Sequence, residues 1–146
     1  MAGKSGAGTS GAGVNRAGAN RAGVSRRLGT RGEDAAADYL ARVGMRVAER
    51  NWRCVLGEID IVARDGKMIV FVEVKTRKSL TAGSAEEAVC LAKQRQYSRL
   101  AAVYLQDHGW LDAEVRFDVI AVTVLSKDRA RLRHIRNAYV CGVELE

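Results

Sequence analysis

The sequence predicts an α/β domain in which a mixed β-sheet is flanked by helices. Two β-rich runs, 57–63 and 68–75, are joined by a turn sequence, and a later apolar run covers residues 115–124. Segments with helical spacing of apolar residues stand before and after the joined runs. The predicted order is α-β-β-β-α-β without internal repeats, and this order favours helices packed on a sheet.

The first helix is predicted over residues 35–43. Apolar residues follow helical spacing there, at Ala36, Ala37, Leu40 and Val43. Glu33 and Asp34 stand just before it, where acids suit the positive end of the helix dipole, and Gly44 follows its end. Residues 46–54 are then predicted, more weakly, to form a strand.

The runs 57–63 and 68–75 are predicted to pair as a β-hairpin. They are rich in β-branched residues, and an Asp-Gly pair between such runs is a strong hairpin signal. We therefore expect Asp65 and Gly66 to form a two-residue turn. This turn fixes which residues of the two strands face each other.

The predicted register brings acids to one face of the sheet. Asp60 is expected opposite Phe71, and Glu58 opposite Glu73. Cross-strand partners share a face, as do alternate residues along a strand, so Lys75 joins these acids. Asp60 and Glu73 are then diagonal neighbours, about 7–8 Å apart. Converging carboxylates repel each other without a cation, and oxygen ligands favour Mg²⁺ or Mn²⁺.

Two of the acids have open alternatives. Glu33 lies in line with the core-facing stripe of the first helix and is a candidate for the same site, but it is also a favourable charge at a helix start. Glu58, at the edge of its strand, is predicted to be structural rather than a ligand. A Glu-x-Lys triplet alone occurs by chance in many proteins, so the prediction depends on its spacing from Asp60.

The second half of the chain supplies a long helix and another strand. The helix is predicted over residues 84–107, with Ser84 as its N-cap. The strand at 115–124 is apolar around Asp118, which we expect to pair with a base such as Arg116. The basic segment 131–140 follows, and its secondary structure is left open.

Residues 1–28 are predicted to be a disordered tail and residues 29–146 a single domain. The tail is mostly Gly, Ala, Ser, Thr, Asn and Arg, which bury too little apolar surface to offset the entropy of ordering. It holds five of the 24 basic residues and none of the 17 acids, so the net charge of +7 falls to +2 in the domain. The tail is either a solubilising extension or a basic arm that contacts phosphates.

The cysteines and the hydropathy indicate the cellular setting. Cys54, Cys90 and Cys141 are scattered without a CxxC pair, which favours reduced thiols over a zinc site or a disulfide scaffold. No apolar run approaches the ~18 residues of a membrane span, and arginines interrupt the N-terminal segment. We therefore predict no membrane partner and a cytoplasmic location.

Asp60, followed thirteen residues later by Glu73-Val74-Lys75, resembles the PD-(D/E)xK nuclease superfamily, with Ile59 in place of the proline. Other motifs resemble the bacterial YraN family, which is grouped with endonucleases and resembles archaeal Holliday-junction resolvases. These motifs are Glu33-x-x-Ala36-x-x-Tyr39-Leu40, Asn51-Trp52-Arg53, Gly57-Glu58-Ile59-Asp60, Phe71-Val72-Glu73-Val74-Lys75-Thr76-Arg77, Lys93-Gln94 and Arg116-Phe117-Asp118-Val119-Ile120. The resemblance covers about residues 27–140 and implies a restriction-endonuclease-like αβββαβ core, so that 29–146 is a nuclease-like domain.

The resemblance implies which residues bind the metal. Asp60 and Glu73 would be ligands of Mg²⁺ or Mn²⁺, together with the backbone carbonyl of Val74. Glu33 would complete the site directly or through water. The reaction implied is hydrolysis of a phosphodiester bond by an activated water.

The resemblance also implies supporting residues. Lys75 would position or help to deprotonate the attacking water and stabilise charge on the phosphate. Lys93 and Gln94 match an element that supports the site in related nucleases, although helical spacing does not tell whether they point inward. Arg77 is either a phosphate contact or a solvated arginine.

Three functions follow from these residues. The leading hypothesis is a metal-dependent endonuclease acting on DNA, with branched, flap, nicked and linear DNA, and also RNA, left open as substrates. The analogy with junction resolvases adds a homodimer as an open alternative. The second is a non-catalytic nucleic-acid-binding module on the same fold. The third is an interaction protein whose acids are structural, which would bind no metal.

Overall fold

The computed structural model describes residues 16–78 and 91–139. Within these ranges the helices and strands follow the predicted order, with one more strand after them. The elements are α1 (Arg16–Arg42), β1 (Arg46–Cys54), β2 (Gly57–Asp65), β3 (Met68–Arg77), α2 (Leu91–His108), β4 (Val115–Ser126) and β5 (Arg129–Ile135). The weakly predicted strand at 46–54 is confirmed as β1.

The described strands form one mixed sheet in the order β1-β2-β3-β4-β5. All neighbours are antiparallel except β3 and β4, which run parallel. Parallel strands need a crossover connection, and the connection from β3 to β4 contains α2. The predicted α/β class with a mixed, helix-flanked sheet is confirmed, and it is consistent with a restriction-endonuclease-like core.

Each helix packs on its own face of the sheet, so the sheet separates two apolar cores. The core on the α1 face includes Ala36, Leu40, Ile61, Val70, Val72, Ile120 and Val122. The core on the α2 face includes Ile59, Phe71, Tyr97, Leu100, Tyr104 and Phe117. Because β3 and β4 are covered on both faces, their sequences are almost continuously apolar, as buried parallel strands require.

Helix α1 is longer than predicted. It begins at Arg16, so residues 16–28 of the predicted tail are helical, while residues 1–15 lie outside the described residues. The extension contains alanines and arginines, which are strong helix formers, and adding turns to an existing helix costs far less than nucleating one. None of the described helices is both long and apolar enough to cross a membrane.

The basic segment whose structure the sequence left open contributes a strand. β5 pairs antiparallel with β4 through a short turn at residues 127–128. Arginines alternate with Ala130, Leu132 and His134 along it, and this period of two is typical of a strand with one polar face. The predicted start of the second helix at Ser84 lies outside the described residues, and α2 is described from Leu91.

The predicted hairpin register is wrong by two residues. Asp65 pairs with Met68 and Ile61 with Val72, so the turn is formed by Gly66 and Lys67 instead of by Asp65 and Gly66. Gly66 has φ +60°, which suits the first central position of a type II′ turn. A shift of two keeps the side chains of the paired residues 61–65 and 68–72 on their predicted faces. Continued beyond Ile61 and Val72, it would bring Asp60 opposite Glu73 rather than diagonal to it.

Candidate functional site

Asp60 lies where β2 and β3 separate. The backbone pairing of the two strands ends at Ile61 and Val72, and beyond it the Val74 amide donates to Asp60 Oδ2 at 2.9 Å. Ile59 packs in the α2-side core and Ile61 in the α1-side core, so the strict alternation of β2 is interrupted around Asp60. The Asp60 carboxylate therefore occupies the opening between the strands.

Three carboxylates meet at this opening. Glu33 of α1, Glu58 and Asp60 each place an oxygen within 4.8 Å of the others. Asn51 of β1 links two of them: in the amide orientation that its neighbours require, its nitrogen lies 2.8 Å from Glu58 Oε1 and 3.1 Å from Glu33 Oε2. We call Glu33, Glu58 and Asp60 the acidic cluster.

A glycine allows α1 to carry Glu33 to the cluster. Gly32 is buried against β3, and a Cβ at this position would lie 1.8 Å from Thr76 Oγ1. No side chain fits at that distance, so only glycine lets the helix approach the strand this closely. The next residue, Glu33, is thereby held beside Asp60.

A second glycine positions Glu58. Gly57 has φ +145°, which residues with a side chain rarely adopt, and a Cβ there would meet Gln96 Nε2 at 2.8 Å. Gln96 in turn donates to the backbone carbonyl of Leu56 at 3.2 Å. Glu58 also forms an exposed ion pair with Arg53 at 3.2 Å.

Glu73 lies beside the acidic cluster and is almost fully buried, with 3 % of its side chain exposed. Its Oε1 accepts from two ammonium groups, Lys75 at 3.1 Å and Lys93 of α2 at 3.2 Å. Its Oε2 is buried without a hydrogen-bond partner among the described residues. A buried carboxylate oxygen without a partner is costly, which makes this atom available to a ligand or a water.

The surroundings of Asp60 disfavour its ionised form. Its pKa is raised from 3.8 to about 6, and burial is the largest cause. The negative charges of Glu33, Glu73 and Glu58 contribute to this rise, and the hydrogen bond from Val74 opposes it. An acid that is both buried and surrounded by acids is the arrangement that a bound cation would relieve.

The donor set suits a hard divalent cation. The acidic cluster offers carboxylate oxygens only, and neither histidine nor cysteine belongs to it among the described residues. Oxygen ligands in this number are those of Mg²⁺ and Mn²⁺ sites rather than of structural zinc. The residues present therefore fit the metal that the sequence predicts.

The structure locates every predicted site residue. Asp60 and Glu33 share the acidic cluster, whereas Glu73 and Lys75 form the adjoining ion pair with Lys93. Lys93 thus points inward, a question that helical spacing left open. For Val74 the described contact is made by its amide and not by its carbonyl, so the carbonyl as a ligand stays a prediction.

Two supporting candidates lie next to these residues. Gln94 follows Lys93 in α2 and Arg77 ends β3, and both side chains are partly buried and engaged in contacts. Their proposed roles in supporting the site and in binding phosphate stay predictions.

Two features of the cluster go beyond the sequence prediction. Glu58 was predicted to be structural, and its ion pair with Arg53 agrees with that role, while its carboxylate also lies in the cluster. Asn51 is not among the predicted site residues. The sequence signal that points to it is an asparagine inside a predicted strand, because asparagine is enriched in the left-handed conformation that Asn51 adopts, with φ +52°.

Asp118 belongs to a separate buried network, as predicted. Arg116 donates to both of its oxygens, at 2.8 and 3.0 Å, His134 Nε2 lies 2.7 Å away, and the Asn137 amide donates at 3.0 Å. Burial alone would raise the pKa of Asp118, but the hydrogen bonds from His134, Arg116 and Asn137 outweigh it and lower the pKa. Asp118 is therefore a structural anion.

The fold and the site together define an α/β protein with a restriction-endonuclease-like core and an acidic cluster at the fork of two central strands. Comparison with protein families is more specific. The chain belongs to the uncharacterised protein family UPF0102, whose family model matches residues 32–122. The YraN family predicted from the motifs is this family, so that prediction is confirmed.

Curated relatives match most of the domain. The UPF0102 protein of Geobacter sulfurreducens is 55% identical over 112 residues, which cover 77% of this chain and 88% of the relative. That of Geobacter metallireducens is 51% identical over 114 residues, covering 78% and 93%. That of Rhodococcus jostii is 46% identical over 112 residues, covering 77% and 95%.

Proposed function

We propose that this protein is a metal-dependent endonuclease that hydrolyses phosphodiester bonds in DNA. The observation that carries the proposal is the meeting of Glu33, Glu58 and Asp60 within 4.8 Å of one another, beside a buried carboxylate that holds Lys75. Acids placed this closely repel one another, which a bound cation would relieve, and the neighbouring ammonium group supplies a partner for a phosphate.

Each group has a chemical task in this proposal. Glu33, Glu58 and Asp60 would hold Mg²⁺ or Mn²⁺, with Glu73 Oε2 free to bind a water or to join them. When bound, the cation supplies charge that stabilises phosphate oxygens and lowers the pKa of a coordinated water. Val74 fixes the orientation of the Asp60 carboxylate through its amide hydrogen bond.

Glu73 and the two lysines organise the other half of the site. Glu73 Oε1 holds the Lys75 ammonium at 3.1 Å, so Lys75 stands next to the cluster in a defined position. There it can donate a hydrogen bond to the attacking water or to a phosphate oxygen as negative charge develops. Lys93 contributes a second ammonium group, 3.2 Å from the same carboxylate oxygen.

The proposal is tested with labelled linear, nicked, flap and four-way DNA incubated with Mg²⁺ or Mn²⁺. We expect wild type to cut at least one form, and both Asp60→Asn and Lys75→Met to lower the rate by about 100-fold or more. Asp38→Asn, on the exposed side of α1, and Lys67→Met, in the hairpin turn, are matched controls that should cut normally.

The outcomes separate the alternatives. Variants of Asp60 and Lys75 that cut as fast as wild type would reject the proposed site. DNA binding with a steep salt dependence, but no cleavage with any metal, would instead favour a non-catalytic binding module. Neither binding nor cleavage would leave the acids with a structural role.

A further inference from the structure

Basic side chains cross the sheet from β3 to β5, next to the acidic cluster. The strand register forms two rows across three strands: Lys75–Ala121–Arg133 and Arg77–Thr123–Arg131. Directly paired residues in neighbouring strands share a face, so each row has a cationic residue at both ends and a small residue in the middle. We call these six residues the basic strip.

The basic strip lies on the α2 face of the sheet, the face on which Lys93 reaches Glu73. Lys75 and Arg77 follow Glu73 at intervals of two along β3 and therefore share its side. Val119, one row back, is buried in the α2-side core, whereas the middle residues of the strip are only partly buried. The described residues of α2 thus pack against the rows before the strip.

The strip is shallow and strongly cationic. Arg131 and Arg133 are exposed, and between them and β3 stand only the short side chains of Ala121 and Thr123. Two strand spacings separate β3 from β5, so the strip is about 10 Å wide. Within the described residues neither row contains an acid, and Glu73, in the adjoining row, is paired with two lysines. Arg77 and Arg133 are themselves engaged in contacts within the protein, and their positive charges add to those of Lys75 and Arg131.

We propose that the basic strip binds the sugar–phosphate backbone of duplex DNA on one side of the scissile phosphodiester. This inference rests on the proposed function, because Lys75 belongs both to the strip and to the proposed catalytic site. A DNA strand whose phosphate reaches Lys75 has its next phosphates within reach of the strip. Such contacts add affinity and fix the position of the duplex without reading its sequence.

A second role is open to arginines on β5. β5 ends the sheet, and charged residues on an edge strand discourage pairing with other chains. That role alone predicts more self-association when the charges are removed but no specific change in DNA affinity. The two roles are therefore separable by measuring DNA binding directly.

The test is fluorescence anisotropy of a labelled duplex in EDTA, over about 50–200 mM salt, with the full chain. We expect Arg131→Ala/Arg133→Ala to weaken binding at least tenfold at the lowest salt and to reduce the salt slope by about 2, because two phosphates are then no longer neutralised. Arg131→Lys/Arg133→Lys retains the charges and should restore most of the slope. Arg42→Ala/Arg46→Ala, which removes two exposed arginines at the junction of α1 and β1, is the charge-matched control.

The outcomes distinguish this inference from the proposed nuclease activity. A wild type that binds no duplex, or equal weakening in the control pair, would overturn the basic strip as a DNA surface. If wild type cleaves DNA but the alanine pair binds as wild type does, only the strip is refuted. If the alanine pair loses binding while wild type cuts nothing, the strip stands and the nuclease proposal fails. Where wild type cleaves, the alanine pair should raise KM and leave kcat unchanged.

Discussion

At the scale of single residues, Asp60 combines a structural cost with its proposed function. Its carboxylate is buried among Glu33, Glu58 and Glu73. Burial is the largest cause that raises its pKa to about 6, and the charges of these acids add to the shift. At neutral pH the metal-free protein must therefore hold an ionised group that its folded state disfavours. Ionisable groups with strongly shifted pKa values are common at functional sites, where a bound ligand can offset the unfavourable charge.

Replacing Asp60 with Asn should stabilise the metal-free protein. Above pH 6 the folded state carries the full cost of the ionised carboxylate, on the order of 1–3 kcal/mol, and Asn removes the charge while keeping an acceptor for the Val74 amide. The gain should shrink as the pH falls from above 6 toward 4, because Asp60 then becomes neutral in the folded protein. Urea unfolding of both proteins in EDTA at a series of pH values measures this difference in unfolding free energy. A destabilised Asp60→Asn at pH 7.5 would contradict this interpretation.

Asp118 should behave in the opposite way. Its carboxylate is fully buried, and breaking a buried pair leaves Arg116 without its partner, so Asp118→Asn should lower the free energy of unfolding by about 3–5 kcal/mol. Because its pKa is lowered in the folded state, its contribution is present above pH 3.8 and is lost as the pH falls below that value. Urea unfolding of both proteins at pH 7 and at pH 3 checks the magnitude and the sign. Equal stability of the two proteins at pH 7 would refute the structural role.

At the scale of elements, the hairpin of β2 and β3 explains how much of the site could be predicted. Alternation along each strand predicted Asp60, Glu73 and Lys75 on one side, and a register error of two residues does not by itself change that prediction, because side chains alternate with period two. The break in alternation around Asp60 could not be predicted, because it depends on the strands separating and on the helices that pack there. The position of Glu58 in the acidic cluster was therefore not predicted.

Contacts between elements that are distant in the sequence also could not be predicted. Asn51 joins Glu33 to Glu58 only because β1 and α1 meet at the end of the sheet, and no local pattern in the sequence records that meeting. Glu33 itself was found because it falls in line with the apolar stripe of the first helix. The periodicity of apolar residues thus predicts that a residue lies on a buried face. Which residues it contacts there depends on how the elements pack.

The close approach of α1 to β3 gives a prediction for Gly32. A Cβ at this position would lie 1.8 Å from Thr76 Oγ1, so Gly32→Ala must push the helix away from the strand. We expect a loss of about 1–3 kcal/mol in unfolding free energy, despite the higher helix propensity of alanine, and weaker Mn²⁺ binding because Glu33 moves with the helix. The double variant Gly32→Ala/Thr76→Ala should recover part of the unfolding free energy and part of the Mn²⁺ affinity. Gly29 of the same helix, where a Cβ would meet open space, is the control: Gly29→Ala should weaken neither.

At the scale of the whole molecule, the fold class and the order of the elements along the chain followed from the sequence, whereas the extent of the elements did not. β5 was left open because an arginine at every second position is equally compatible with a solvated loop until β4 provides a pairing edge. α1 extends into the predicted tail because an existing helix propagates through a segment whose alanines and arginines favour helix formation. A homodimer and a cytoplasmic location stay predictions, as does the role of residues 1–15.

Metal binding should stabilise the molecule as a whole. A ligand that binds only the folded state at 100 times its Kd adds about 2.7 kcal/mol to the free energy of unfolding. Thermal unfolding with and without Mn²⁺ should therefore show a higher Tm for wild type, and no change for Asp60→Asn. An equal rise of Tm in both proteins would indicate that Mn²⁺ binds elsewhere.

The most direct measurement is a calorimetric titration of Mn²⁺ into the metal-free protein. We expect one saturable site per chain in wild type and in the control Asp38→Asn, and a loss of that site in Asp60→Asn. Release of protons on binding should accompany it near pH 6, because the cation displaces the proton that Asp60 holds there. A wild type that takes up no Mn²⁺, or an Asp60→Asn variant that binds it as tightly, would contradict a metal site at the fork of β2 and β3.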